Sequence, residues 1–341
     1  MKNKQNRGFI TRILEYQNIG VTVSLIVILI VSAFFAPSML SFESMMRLLK
    51  NNMLYGLVAI GVMFVLITGG IDLSTGAILS LTCNLTGIIQ QQTKGKNEWP
   101  LIALILISLA VGLACGLFNG FLVGKLRIHP MLATLGSQYI FLSLSFEVNN
   151  MNVMANMLYK SVKRFASTRT LGIFNCVWIL IGMYLLVGFI LSYTRSGRKI
   201  YAIGSNRESA VIAGMNPVSV QMIAYALCGM CCGLAGFMFV SNYSLAQFNV
   251  SGDFAMKAIC IAVLGGVSPK GGRGRIDGMF ISILVISCIS YFTSLIPRFG
   301  LWNDAFYGAL VIGALFFNAL TERIQKKRDL TRKEAGLNVD R

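Results

Sequence analysis

Ten apolar runs divide this chain, at roughly 19–36, 52–70, 74–91, 100–124, 131–147, 173–193, 219–241, 254–268, 277–296 and 303–320. About 20 residues of helix cross the hydrocarbon core of a bilayer, and a helix satisfies its own backbone groups there. The eighth run is short, as a tilted, broken or re-entrant segment would be. Only 13% of the residues are charged and 55% are hydrophobic, against about 25% charged in soluble proteins. A soluble enzyme, a nucleic-acid module and a disordered chain are excluded. The expected fold is an all-α polytopic membrane bundle of about ten transmembrane segments.

The net charge of +17 follows from topology, because Lys and Arg collect in cytoplasmic loops. With the N-terminus inside, alternate inner segments hold twenty Lys and Arg and the outer ones nine. Both termini are therefore expected in the cytoplasm. The chain reads as a basic N-terminus (1–18), one transmembrane domain (19–320) with an inside loop at 194–218, and a basic tail (321–341). The first run has no A-x-A site after it and reads as an uncleaved helix. No loop is large enough to be an ATPase or binding domain. All eight cysteines lie in or beside apolar runs, where thiols behave as small hydrophobes. Cys228 and Cys231 have C-x-x-C spacing without a second ligand pair, so neither a metal site nor a disulfide framework is expected.

No catalytic residue is expected. His129, the single histidine, precedes Pro130 and reads as a turn residue. Gly120 to Lys125 falls one residue short of a phosphate loop, and Gly272, Gly274 and Gly278 miss the dinucleotide spacing by one. Glycine spacing is more informative. Gly112, Gly116, Gly120 and Gly124 recur on one helix face, where another backbone can approach closely. Gly229, Gly233 and Gly236 resemble this pattern in the seventh run.

Thr68, Gly69, Gly70, Asp72 and Ser74 lie between two apolar runs, where glycines favour a broken or sharply turned helix. Asp72 or Ser74 is able to cap the helix that follows, and an intramembrane carboxylate can equally be an ion or substrate ligand. In the inside loop, Ser205 or Asn206 can cap a short helix that carries Glu208 in its first turn and ends at Gly214 and Pro217. Ala210, Ala213 and Gly214 give that helix a small-residue side suited to docking in a groove of another protein. Asn84, Asn119 and Gln138 are polar positions in or near apolar runs, able to line a pathway or to bond helices together.

These residues resemble the permease subunits of ATP-binding-cassette importers for simple sugars of the ribose, xylose and galactose type, relatives of the branched-chain amino-acid permeases. The likeness runs from about 45 to 320 through four ordered blocks: Leu66 to Ser74; Gly116 to Gly120 with Pro130 and Ala133 to Gly136; Gly204, Asn206, Glu208, Ala210 and Gly214; and Leu264 to Gly266 with Gly271 to Gly274. It departs at Ala255 and Lys257, where the family tends to carry acidic residues, and at 146–151, which lacks a Gly-x-Pro. Asp253 and Lys257 are spaced to pair on one helix.

The resemblance implies a multi-pass protein of a prokaryotic cell membrane that moves a small polar solute by alternating access. It implies as partners a second permease subunit, identical or related, two ATP-binding subunits docked at the 204–214 segment, and an extracytoplasmic solute-binding protein. ATP would sit on the partner, with no cofactor in this chain and no nucleic acid involved. The residues also leave open a secondary transporter or channel with Asp72 as its ion site, and a permease of the same architecture for branched-chain amino acids or nucleosides.

Overall fold

The computed structural model describes residues 19–95, 98–149, 153–154, 158–247 and 250–295, with scattered positions between 302 and 316. The expectations for 1–18, for 321–341 and for most of the tenth run lie outside these residues.

Each of the first nine apolar runs is built around a helix. They are α1 (Ile19–Phe35), α2 (Phe42–Ile67), α3 (Thr75–Thr93), α4 (Leu101–Gly120), α5 (Pro130–Asn149), α7 (Asn175–Tyr193), α10 (Pro217–Tyr243), α11 (Phe254–Leu264) and α12 (Ile276–Leu295). Short helices fill the loops: α6 (Lys160–Phe165) on one side, and α8 (Arg195–Ser205) and α9 (Arg207–Ile212) on the other. A two-stranded hairpin, β1 (Arg169–Thr170) and β2 (Ile173–Phe174), leads into α7. Among the described residues five helices, α2, α4 with its extension, α7, α10 and α12, are long and apolar enough to cross a membrane. Polar residues such as Asn84 and Gln90 dilute α3, and α11 has only 11 residues.

α2 is the axle. From Gly56 to Ile67 it is buried on every side, as expected of a helix that is apolar all round. α10 packs against α2, α3 and α4; α5 leans on α3, α11 and α12 on α2, and α1 on α12.

α4 and α10 approach backbone to backbone, and glycine makes this possible. A Cβ on Gly112 would fall on the carbonyl oxygen of Gly229, one on Gly116 on that of Tyr225, and one on Gly120 would lie 2.7 Å from the Cα of Met222. Gly229 and Gly233 face back onto the backbone of Gly112 and Ser108. Beyond Gly120, α4 closes in a π-helical turn, Phe121–Lys125.

The connections sort to two ends of the bundle. At one end Glu43 pairs with Arg47 and Arg169, Met154 bridges Ala246, and the amide of Trp99 donates to the Tyr159 hydroxyl at 3.2 Å. At the other end lie the 68–74 turn, α8, α9 and the 268–275 loop, held to one another by the contacts below. For the connections named here this is the alternation that hydropathy predicts; Ser251, from an outer connection, instead reaches in to Gly76, where an added Cβ would fall on its carbonyl oxygen. All eight thiols are free, and all but Cys260 are buried.

Candidate functional site

The peptide between α2 and α3 turns sharply at the centre of the bundle's second end. α2 stops where Gly69, at φ 80°, donates to the carbonyl of Leu66 and Gly70 to that of Val65; the left-handed backbone is one that glycine adopts without steric cost. Asp72 then folds over the chain. Its Oδ1 accepts from the Ser74 amide at 2.9 Å and from the Ser74 hydroxyl at 2.7 Å. Of the two capping residues expected, Asp72 is the one that bonds a backbone amide. Ser74 stands at the N-cap position, just before α3, without a side-chain cap bond.

Neighbouring helices fix the turn from three sides. Asn119 of α4 donates to Ser74 Oγ at 2.7 Å. On the α5 side, the Leu73 amide donates to Thr134 Oγ1 at 3.1 Å. The Tyr225 hydroxyl of α10 packs at the carbonyl of Ile71. Asp72, Ser74 and Asn119 have no solvent exposure. Thus the first two glycine blocks, 50 residues apart in sequence, form one polar knot.

The third and fourth blocks seat on the same knot. The Gly272 amide donates to the carbonyl of Ile67 at 2.8 Å, and Gly271 and Gly272 adopt φ 89° and 75°. Gly204, near the end of α8, is wedged between that Ile67 carbonyl and the Gly272 amide, with room for no side chain. Tyr201 of α8 donates to the Gly274 carbonyl at 2.6 Å. A displacement of α8 therefore presses through backbone onto the end of α2 and the Asp72 turn.

Sequence patterns located α9 but not α8, whose apolar side (Ile200, Ile203) is only three residues long in period. α8 is capped by Thr194, whose hydroxyl accepts from the Gly197 amide at 3.1 Å. Asn206, not Ser205, caps α9, accepting from the Ser209 amide at 2.9 Å. Glu208 lies exposed in the first turn and Gly214, at φ 78°, ends the segment. Ala210 turns inward and is buried, so it seats α9 on the bundle and is not on the free surface; Ala213 is exposed. The apolar groups that α9 shows to solvent are Val211 and Ile212, the latter 87% exposed. Six residues are too few for a periodic signal, and two adjacent β-branched residues read as core from sequence alone.

Of the pathway candidates, Asn84 is buried and donates to the Ser145 carbonyl (3.0 Å) and hydroxyl (2.7 Å), tying α3 to α5. Asn119 belongs to the knot. Gln138 lines a cavity of about 220 Å³ together with Leu73, Gly76, Ser251, Asp253 and Met256. Ala255 lines it too, and Lys257 pairs with Asp253 at 3.5 Å while lying over the Tyr55 ring. So of the two departures in α11, Ala255 lines this cavity and Lys257 adjoins it through Asp253. Among the described residues no group of three or more His, Cys, Asp or Glu is placed to hold a metal ion.

Comparison with known proteins gives this architecture a family. Residues 44–315 match the family described as the permease component of the branched-chain amino acid transport system. The ribose import permease protein RbsC of Bacillus subtilis strain 168 is 32% identical over 306 residues, covering 89% of this chain and 92% of that protein. RbsC of Escherichia coli K12 is 30% identical over 271 residues, 79% of this chain and 83% of that protein. The D-allose transport system permease protein AlsC of the same strain is 30% identical over 267 residues, 78% of this chain and 80% of that protein. No solved structure matches the chain. With four-fifths of its length matched, the chain belongs to the family of branched-chain amino acid transport system permease components.

Proposed function

We propose that this chain is the membrane-embedded permease subunit of an ATP-binding-cassette importer for a simple sugar or a similarly small polar solute. ATP is bound and hydrolysed on separate subunits, and a solute-binding protein delivers cargo at the opposite face. A second permease chain, identical or related, completes the pathway. The relatives named for ribose and D-allose import support the solute class.

The observation that carries the reading is the backbone contact of Gly204 with Ile67 and Gly272. An importer driven from outside its own chain needs a surface element whose motion reaches the bundle interior. α8 and α9 form such an element, with Val211, Ile212 and Glu208 as the surface offered to the ATPase. Alternating access requires end states that differ by only a few kcal/mol, which ATP and the loaded binding protein can bias. The Gln138 cavity, next to the turn through Leu73, is where the solute meets this chain, and ligands of this kind are oriented by a few placed polar groups.

Gentle purification of the tagged protein from its native membrane, with mass spectrometry of what remains bound, tests the reading. The expected result is a co-purifying ATPase, lost in Ile212→Ser and in Glu208→Lys while the bundle still elutes as a folded species. A protein that emerges alone after mild crosslinking, and drives gradient-dependent uptake in ATP-free liposomes, would overturn it.

A further inference from the structure

Three side-chain oxygens in the buried turn have no hydrogen-bond partner: Asp72 Oδ2, Asn119 Oδ1 and Thr75 Oγ1. The first two are related by chemistry. The carboxyl of Asp72 and the amide of Asn119 bond the same Ser74 hydroxyl, one as acceptor and one as donor, each at 2.7 Å. Each then has one oxygen left over. Both leftover atoms are acceptors, so as an anion Asp72 would leave two unsatisfied buried acceptors around one shared hydroxyl.

No cationic side chain among the described residues is paired with this carboxyl. The ion pairs among the described residues include Arg47 and Arg169 with Glu43, Lys257 with Asp253, and Arg275 with Asp277, none of them with Asp72. The groups that face Asp72 are Tyr225 and Cys228 from α10, Cys115 and Asn119 from α4, Ser74 and Thr75 from α3, and, beside Leu73, Thr134 from α5. None carries a positive charge. A buried charge without a partner is strongly disfavoured and is neutralised instead. A buried acceptor without a donor is likewise unfavourable.

We propose that Asp72 carries a proton on Oδ2 and donates it to Asn119 Oδ1, so that one proton satisfies both atoms and locks the turn as a neutral joint. The proton comes from water on the α8–α9 side and is held while the turn is closed. Opening of the turn to water favours its release, because hydration then supports the carboxylate. The joint on which Gly204 presses is thereby also a proton-binding site.

Infrared spectroscopy of the purified full chain at neutral pH tests this, since a protonated carboxyl absorbs apart from carboxylates. The expected result is a protonated-carboxyl band that Asp72→Asn abolishes. That variant, whose amide supplies an N–H where the proton stood, should melt with the native protein, whereas Asp72→Ala should melt lower. Should Asp72→Asn fail to fold, Asn119→Ala serves instead and should shift the band to higher frequency by removing its acceptor. Absence of the band from the native protein, its survival in Asp72→Asn, or a position unmoved in Asn119→Ala would each overturn the proposal. So would a sodium-dependent rise in the native melting temperature that Asp72→Asn lacks, which would mean a bound cation in place of the proton.

Discussion

At Gly204 a side chain would have to occupy space already taken by the Ile67 carbonyl and the Gly272 amide, and neither can move aside as a flexible side chain would. Overpacking of this kind costs typically 1–3 kcal/mol. Gly182 in α7 is the control, because a Cβ there meets nothing within 4 Å and alanine favours helix over glycine by up to about 1 kcal/mol. Gly204→Ala is therefore expected to lower the melting temperature in detergent and Gly182→Ala to hold or raise it. Equal effects from the two would mean that the wedge is not tight. The same contrast shows what sequence can reveal at this scale. The positions of the Asp72 turn, the Asn206 cap and the Gly214 stop were legible because their residue types are tied to local backbone geometry. The inward turn of Ala210 and the outward Ile212 were not, since both depend on where a six-residue helix rests against the rest of the chain.

Between elements, the four-residue glycine spacing of α4 was legible as a smooth face, but its partner was not. α10 is a distant helix in sequence, and nothing local states which of nine runs will meet a given face. The contact also fixes an order of sensitivity. A Cβ at Gly112 or Gly116 would land on a carbonyl oxygen of α10, at Gly120 it would lie 2.7 Å from a backbone carbon, and at Gly124 it would stand 3.2 Å from the Val218 carbonyl. In membranes such packing is itself a main source of helix association. Alanine at these positions is expected to reduce the yield of folded protein most at Gly112 and Gly116, less at Gly120 and least at Gly124, read by size-exclusion of fluorescently tagged variants. A flat profile along the face would show that the two helices are able to separate without loss, and that the glycines serve motion more than packing.

For the whole molecule, hydropathy and the alternation of basic loops were enough to sort the connections into two sets, and among the described residues the two sets gather largely at opposite ends, while Ser251 to Asp253 of the outer set reach inward to Leu73 and Gly76. Charge balance does not by itself make those ends visible, because the loop at 158–174 is basic while belonging to the outer set; Lys160, Lys163, Arg164 and Arg169 all lie there. That loop is anchored, with Leu158, Tyr159, Val162 and Ala166 buried and the Ala166 amide donating to Ser241 Oγ at 2.9 Å. Its hairpin tip presents Leu171, 88% exposed at φ 55°, to solvent. Seven of the eight native thiols are buried, so an impermeant maleimide has little background to contend with. Glu208→Cys, on exposed α9, should react in inside-out vesicles only, and Leu171→Cys in right-side-out vesicles only. Labelling of both from one side would break the two-ended arrangement. Labelling with the sides exchanged would keep it and invert the chain in the membrane, leaving α9 unable to meet a cytoplasmic ATPase.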